Sequence, residues 1–282
     1  MKRLVFLLLA AMFAASGIAS AQQHIDAPRA DGAKTPLLVF DAQHAHGCPP
    51  LVLLSHGAGG SEEHGLRYLA EALSRDGWRA ISIGHRESGL APLRDDMRAA
   101  GVKQGLRDLV GDADAYKARF MDIDAALAWS QSQCHAPFRV LAGHSMGAIT
   151  VMLEAGAHNK LGLEHAGGFD AYVALSPEGP GIVFPENAWS PIRAPMLLIT
   201  GTRDAGLDGD YSWRTRAFDG LGPGCRWLAV IDGASHMNLG GMDARGGATK
   251  RATTLVVSYL DGVREKRCPK LVAEAGVTLR SK

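Results

Sequence analysis

The sequence lacks an excess of charge of either sign, with 30 lysine and arginine residues against 29 aspartate and glutamate residues. No run of lysine and arginine forms a basic stripe, so nothing indicates nucleic acid or an anionic membrane surface as a partner. Internal repeats, low-complexity tracts and linker-like changes of composition are also missing. With 282 residues, 46% of them hydrophobic, the chain can bury the core of one α/β domain.

Cysteine is scarce as well: there are four, and none forms a Cys-x-x-Cys pair, so we expect no metal site made of cysteines. His44 and His46 have no further metal-ligating residues at suitable spacing, so no metal site is expected there either. No cofactor is expected. In an oxidising compartment an even number of cysteines predicts two disulfides, although the residues alone leave three pairings open.

The N-terminus has the pattern of a signal peptide. Lys2 and Arg3 form a basic start, an apolar stretch covers residues 4–18, and Ala19-Ser20-Ala21 supplies small residues for cleavage. We expect residues 1–21 to be removed after Ala21 and residues 22–282 to form a single domain. The apolar stretch is too short to span a bilayer comfortably, so no stable membrane insertion is expected after cleavage. The sequence therefore predicts a periplasmic or secreted protein.

Short apolar runs alternate with helical patterns along the mature chain. Buried strands are predicted at 51–55, 79–84, 138–143, 171–176, 196–201 and 226–232, with an edge strand at 36–40. Helices are predicted at 62–75, 112–130, 146–156, 211–221 and 249–263. This alternation predicts an α/β fold with a mostly parallel sheet and helices on both faces.

Two segments bear on what covers the sheet. Residues 86–111 are rich in charge and glycine, and we expect an irregular segment with one helix near the top of the sheet. No long insertion separates the sixth and seventh strands, so no large lid domain is expected.

The motif Gly143-His-Ser145-Met-Gly147 lies between a predicted strand and a predicted helix. In that context Gly-x-Ser-x-Gly is typical of a tight turn that exposes a nucleophilic serine above the sheet. The alternative is a serine that only caps the following helix. The flanking strand and helix favour Ser145 as the nucleophile.

A serine nucleophile needs a histidine base, and the base needs an acid that orients it. His236 follows the last predicted strand on a glycine-containing loop, whereas His158 and His165 lie in and after the helix that follows Ser145. Asp204 comes directly after the preceding strand. We therefore predict Asp204 as the acid and His236 as the base; the competing acids are Asp208, Asp210 and Asp232.

The loop after the third strand, Gly57-Ala58-Gly59-Gly60, suits an oxyanion hole, because glycine lets the backbone approach a substrate closely. We predict the N–H groups of Ala58 and Met146 as the donors, with His56 bracing the loop by a hydrogen bond. A flexible turn and a phosphate cradle are the alternatives, but no lysine follows the glycines as a phosphate loop requires.

Apolar residues near the predicted triad are candidates for a substrate pocket. These are Leu90, Phe184, Trp189 and Met237. Trp213 lies on a predicted helix, where a core position is more common than a substrate contact.

With these motifs in place, the chain resembles α/β-hydrolase fold enzymes, most closely the bacterial dienelactone-hydrolase-like and platelet-activating-factor-acetylhydrolase-like esterases. The resemblance covers nearly the whole mature chain. It rests on Leu53-Leu-Ser-His-Gly-Ala-Gly-Gly-Ser61, Ala142-Gly-His-Ser-Met-Gly147, Ala174-Leu-Ser-Pro177, Leu198-Ile-Thr-Gly-Thr-Arg-Asp204 and Gly233-Ala-Ser-His236.

The resemblance implies short-chain acyl esters as substrates, with two departures from related enzymes. Dienelactone hydrolases carry cysteine at the nucleophile position and dehalogenases of this fold carry aspartate, whereas this chain has Ser145. The family's topology also implies the disulfides Cys48–Cys134 and Cys225–Cys268, because each pair would meet at one edge of the sheet.

We therefore expect a serine hydrolase, a carboxylesterase, that cleaves a small-molecule ester through an acyl-enzyme on Ser145. One alternative keeps the triad but acts on an amide or transfers the acyl group to another acceptor. A non-enzyme alternative is a binding protein with a hydrolase fold.

Overall fold

The computed structural model describes residues 22–44, 46–164 and 168–282, and these build one nine-stranded sheet. The strands are β1 (Gln22–Pro28), β2 (Lys34–Phe40), β3 (Leu51–Ser55), β4 (Arg79–Ile83), β5 (Arg139–His144), β6 (Ala171–Leu175), β7 (Met196–Arg203), β8 (Arg226–Ser235) and β9 (Val277–Ser281). Their order in the sheet is β1-β2-β4-β3-β5-β6-β7-β8-β9. Strands β3 to β8 run parallel, and β1, β2 and β9 pair antiparallel with their neighbours.

Eight helices accompany the sheet in the described part of the chain. They are α1 (Arg67–Arg75), α2 (Leu90–Ala100), α3 (Val102–Val110), α4 (Ala113–Gln133), α5 (Met146–Glu154), α6 (Tyr211–Gly220), α7 (His236–Leu239) and α8 (Gly247–Arg264).

The central strands are apolar throughout because helices cover both faces of the sheet. In β3, Leu51 and Leu53 pack in a hydrophobic cluster with α4, α5 and α6. The alternate residues Val52 and Leu54 pack in the opposite cluster with α1 and α8. The mostly parallel sheet with helices on both faces is therefore as predicted.

The register of the sheet gathers the loops that carry the candidate site. Ser55, the last residue of β3, pairs with Gly143 of β5, and Gly143 pairs with Ala174 of β6. Parallel strands that end in register deliver their loops to the same edge. The loops after β3, β5 and β6 therefore lie side by side.

The segment between β4 and α4 is more regular than predicted. Instead of one helix, it contains a 3-10 turn at Arg86–Ser88 followed by the helices α2 and α3. Gly101, with a φ of 83°, separates the two helices. Helix α2 has no buried residue, so its sequence lacks the apolar stripe by which a helix packed on the core is recognised.

Both cysteine pairs have the partners that the family topology implies. Cys48 is bonded to Cys134 and Cys225 to Cys268, with Cα–Cα distances of 5.7 and 5.4 Å. Two disulfides suggest an oxidising compartment. Among the helices of the described residues, none is long and apolar enough to cross a membrane. The predicted signal peptide, residues 1–21, lies outside the described residues.

Candidate active site

Ser145 occupies the tight turn between β5 and α5. Its φ of 56° is in the left-handed region, which is strained for a serine and found where a structure holds the residue in place. The turn brings the backbone very close to its neighbours: a Cβ at Gly147 would overlap the carbonyl oxygen of Ser55, and one at Gly143 would overlap that of Gly147. The two glycines of the motif are therefore required by close approach.

Ser145, His236 and Asp204 form a continuous chain of polar contacts. Oγ of Ser145 lies 3.0 Å from Nε2 of His236, and Nδ1 of His236 lies 3.0 Å from Oδ1 of Asp204. In this arrangement Nδ1–H donates to the carboxylate, which leaves Nε2 as an acceptor for the serine hydroxyl. The structure thus brings together the three residues that the sequence predicts as nucleophile, base and acid.

Asp204 is fully buried directly after β7, and it stays ionised there because of its partners. Burial alone would raise the pKa of this carboxyl, but the hydrogen bond from His236 and the charge of Arg214 bring it below its ordinary value. Thr200 also donates to Oδ2 at 2.9 Å. A fixed carboxylate of this kind holds one histidine tautomer and stabilises the charged imidazolium.

Arg214 is a residue of the site that the sequence analysis missed. It lies on α6, is 3% exposed, and places Nε 2.9 Å from Oδ1 of Asp204. Its other nitrogens donate to the carbonyl groups of Ser176, Pro177 and Ala205, so it ties the loop after β6 to the loop after β7. A single arginine on a polar helix carries no sequence signal for such a role.

His236 begins the short helix α7, and its position is fixed from both sides. Ser235 and Asn238 form a capping box around the start of the helix. His144, the residue before Ser145, donates from Nε2 to the carbonyl oxygen of His236 at 3.0 Å. Burial is the main cause that lowers the pKa of His144 to about 3, and the neighbouring His236 is the second. His144 is therefore neutral and serves as a donor.

The two predicted oxyanion donors lie beside Ser145. Met146 is the first residue of α5, where the N–H has no acceptor within the helix. A Cβ built on Gly57 would be 3.2 Å from Cβ of Ser145, so the loop that contains Ala58 passes directly against the nucleophile. Within residues 22–44, 46–164 and 168–282, the Ala58 N–H has no hydrogen-bond partner.

The four predicted pocket residues fall into two groups. Leu90 and Met237 are about half exposed, at 50% and 49%, and remain available to a substrate. Phe184 and Trp189 are buried in the core, where their rings pack 5.4 Å apart, and this corrects their assignment to the pocket. Their large apolar side chains gain more from core packing than from a place at the surface.

Trp213 also lies in the interior, which is the core position that its place on a predicted helix favours. It is 8% exposed, and its indole N–H donates to the carbonyl oxygen of Pro180 at 2.8 Å. The indole therefore holds the loop after β6 rather than facing a substrate.

The three competing acids have partners outside the triad. Asp208 pairs with Arg107 at 2.5 Å, Asp210 caps α6 through the N–H of Ser212, and Asp232 accepts from Thr202. The backbone N–H of His158 donates to Ala188, and His165 lies outside the described residues.

A cavity of about 650 Å³ opens next to the loop at residues 57–60, which carries the predicted oxyanion donor Ala58. Gly59, Gly60, Glu62, His64 and Leu90 are among its lining residues. Among the described residues, no three His, Cys, Asp or Glu side chains are grouped so that they could hold a metal ion.

Comparisons with known proteins agree at the level of the fold. No protein-family model and no curated protein matches the sequence. Among solved structures, a candidate dienelactone hydrolase from Klebsiella pneumoniae is similar with a TM-score of 0.63 and 17% identity, over 86% of this chain and 98% of the other. A cold-adapted esterase from an Arctic intertidal metagenomic library gives 0.59 and 17%, over 85% and 92%.

An esterase from Pyrococcus furiosus is similar at a TM-score of 0.58 and 17% identity, over 86% of this chain and 92% of the other. These likenesses confirm the predicted fold class. At identities this low the likeness shows the fold alone, because one fold hosts many different chemistries.

Proposed function

On the premise that this chain has the α/β-hydrolase fold, we propose that it is a serine hydrolase that cleaves carboxylic esters through an acyl-enzyme on Ser145. The observation that carries the proposal is the chain of contacts from Ser145 through His236 to Asp204, with both distances at 3.0 Å and the serine on a strained turn. Such a chain activates a hydroxyl group that is otherwise a weak nucleophile.

In the proposed reaction, Oγ of Ser145 attacks the ester carbonyl carbon while Nε2 of His236 takes the hydroxyl proton. The negative charge that develops on the carbonyl oxygen is stabilised by the N–H groups of Ala58 and Met146. The C–O bond to the alcohol then breaks, and His236 returns the proton to the leaving oxygen. Water, deprotonated by His236, adds to the acyl carbon. The bond between this carbon and Oγ of Ser145 then breaks, and His236 returns the proton to Oγ as the acid leaves.

Asp204 and Arg214 are proposed to support each turnover without touching the substrate. The Asp204 carboxylate holds the Nδ1–H tautomer of His236 and stabilises the imidazolium that forms when the serine loses its proton. Arg214 holds the Asp204 loop in place through its buried contacts with the carboxylate and with Ala205.

A small-molecule ester is the proposed substrate, and export is proposed as the setting. The choice of an ester is taken over from the solved esterases of similar fold, and the comparison with anilides below tests it. The two disulfides suit a periplasmic or secreted protein, in line with the signal-peptide pattern at residues 1–21.

Turnover of 4-nitrophenyl esters of graded acyl length, with the matching anilides, tests the proposal. We expect hydrolysis of the short-chain esters, slower or no hydrolysis of the anilides, and a loss of kcat/KM of ~10⁴-fold or more in Ser145→Ala. Ser190→Ala, at an exposed surface serine, is the matched control and should retain activity. Faster cleavage of anilides would favour an amidase, and a folded protein inert to every ester would favour a binding protein.

A further inference from the structure

A buried arginine, Arg119 of α4, lies beneath the oxyanion loop. Its side chain is fully buried and donates from Nε to Oγ of Ser88 at 2.8 Å. From Nη1 it donates to the carbonyl oxygen of His56 at 2.8 Å and to Oγ of Ser55 at 3.1 Å. One guanidinium group therefore joins the end of β3 to the turn after β4.

These contacts hold the backbone on both sides of Ala58. On one side, the carbonyl group of His56 is bound by Arg119. On the other side, the N–H of Gly59 donates to the carbonyl oxygen of Ser88 at 2.9 Å, and the hydroxyl of Ser88 is bound by Arg119. The backbone is thus anchored immediately before and after the segment that carries the proposed oxyanion donor.

The peptide group between Gly57 and Ala58 is fixed by a further bond from His56. Nδ1 of His56 lies 2.7 Å from the carbonyl oxygen of Gly57, and the backbone N–H of His85 donates to Nε2 at 3.0 Å. A backbone N–H can only donate, so Nε2 is the acceptor and Nδ1 carries the proton. The carbonyl that accepts it belongs to the same peptide as the Ala58 N–H, so the bond orients and polarises that donor.

The support for Arg119 continues into the core through a second Ser–His–Asp chain. Nε2 of His85 lies 2.9 Å from Oγ of Ser55, and Nδ1 of His85 lies 2.9 Å from Oδ2 of Asp122. The hydroxyl oxygen of Ser55 accepts from Arg119, and the hydroxyl proton is directed to His85. Ser55, His85 and Asp122 are all buried, so a substrate cannot reach this hydroxyl group. The chain serves to fix Ser55, one of the acceptors of Arg119.

We propose that Arg119 is a positioning residue of the oxyanion hole, which sets the Ala58 N–H at the place where the substrate oxygen becomes negative. The inference rests on the proposed function, since it assigns a task within that reaction. An oxyanion contact strengthens in the transition state, so its loss lowers kcat and leaves KM nearly unchanged. Removal of one such donor costs ~100-fold or more in kcat.

Arg119→Lys is the main test, because an ammonium group keeps the charge but lacks the planar fork that reaches Ser88 and His56 together. Ser88→Ala is a milder second variant that removes only the Nε acceptor. Arg226→Lys is the matched control. Arg226 is another buried arginine, at the start of β8, and it donates to the carbonyl groups of Ile192 and Arg193. The start of β8 lies at the edge of the sheet opposite to the candidate site.

Two readouts separate positioning from general destabilisation. The first is the ratio of kcat for an oxygen ester to kcat for the matching thionoester, whose sulfur gains less from a hydrogen-bonded oxyanion hole. The second is hydrogen exchange at residues 56–60, which reports how firmly the Gly59 N–H is held whether or not the protein turns over an ester.

We expect Arg119→Lys to lower kcat on the oxygen ester by ~10-fold to 100-fold at similar KM, to lower the ester-to-thionoester ratio, and to speed exchange at residues 56–60. Ser88→Ala should change all three in the same direction by less, and Arg226→Lys should change none. A folded Arg119→Lys protein with the wild-type ratio and wild-type exchange would overturn the inference. If the wild type hydrolyses no ester, the proposed function fails, and unchanged exchange in Arg119→Lys would still refute the role of Arg119.

Discussion

We expect the buried Glu178 to make the stability of the protein depend on pH, and one substitution at this position to remove that dependence. It follows β6, is 6% exposed, and among the described residues its Oε1 has no hydrogen-bond partner. Burial, and to a lesser degree the nearby Asp208, raise the pKa of Glu178 to about 7 from an ordinary 4.5, although Arg214 and Arg107 oppose this. The folded protein therefore keeps this carboxyl protonated where the unfolded chain ionises it.

The sign and size of the effect follow from the two pKa values. A folded pKa above the unfolded one stabilises the protein below pH 4.5, and this stabilisation is lost as the pH rises through about 7. Since one pKa unit corresponds to about 1.4 kcal/mol, the separation amounts to about 3 kcal/mol of unfolding free energy. Glutamine at this position stays neutral at every pH and avoids the loss.

Urea unfolding at pH 5 and pH 8 measures this difference. Because the unfolded chain is already mostly ionised at pH 5, we expect the wild type to lose about 2.5 kcal/mol of unfolding free energy relative to Glu178→Gln between the two pH values. Glu186→Gln is the matched control, because the Glu186 side chain is 64% exposed and solvent screens its charge. If Glu178→Gln and the wild type change in parallel with pH, the reasoning about the buried carboxyl is wrong.

Three further substitutions test the packing around the site. Gly147→Ala should cost at least ~3 kcal/mol and most of the activity, because its methyl group would overlap the backbone of β3; urea unfolding and ester turnover check it. Replacing Cys225 and Cys268 together by serine should lower the unfolding free energy by about 2–4 kcal/mol, with little change in KM, and equal stability of the two proteins would contradict this. Arg214→Met should lower stability by about 3–5 kcal/mol and also lower kcat, because the buried Asp204 carboxylate loses a paired charge; wild-type kcat would exclude a supporting role.

The central part of the fold could be predicted because its signal is local. Strand β3 is apolar at all but its last residue, since both of its faces are covered, and β5 is followed at once by the serine turn. Asp204 and His236 could be placed because each follows the end of a strand, and the parallel sheet brings those ends to one edge. In a parallel sheet, the place of a residue directly after a strand therefore indicates where it lies in the fold.

Other parts lack a local signal. Strand β1 buries only Ala27 and pairs antiparallel at the edge of the sheet, and β9 likewise buries only Val277, so neither has the apolar run of a central strand. The same limit applies to Arg214 and Arg119, whose roles depend on which backbone carbonyl groups surround them. The sequence does not reveal that the Phe184 ring is buried, because this residue lies outside the predicted strands and helices.

Covalent labelling with a fluorophosphonate tests the central claim most directly, because the reagent reacts with a serine only when a base activates it. We predict a single adduct, located by peptide mass mapping on Ser145, with its formation suppressed in His236→Ala and absent in Ser145→Ala. Ser190→Ala should label like the wild type. An adduct on another residue, or a folded wild-type protein that hydrolyses esters with Ser145 unlabelled, would contradict the account.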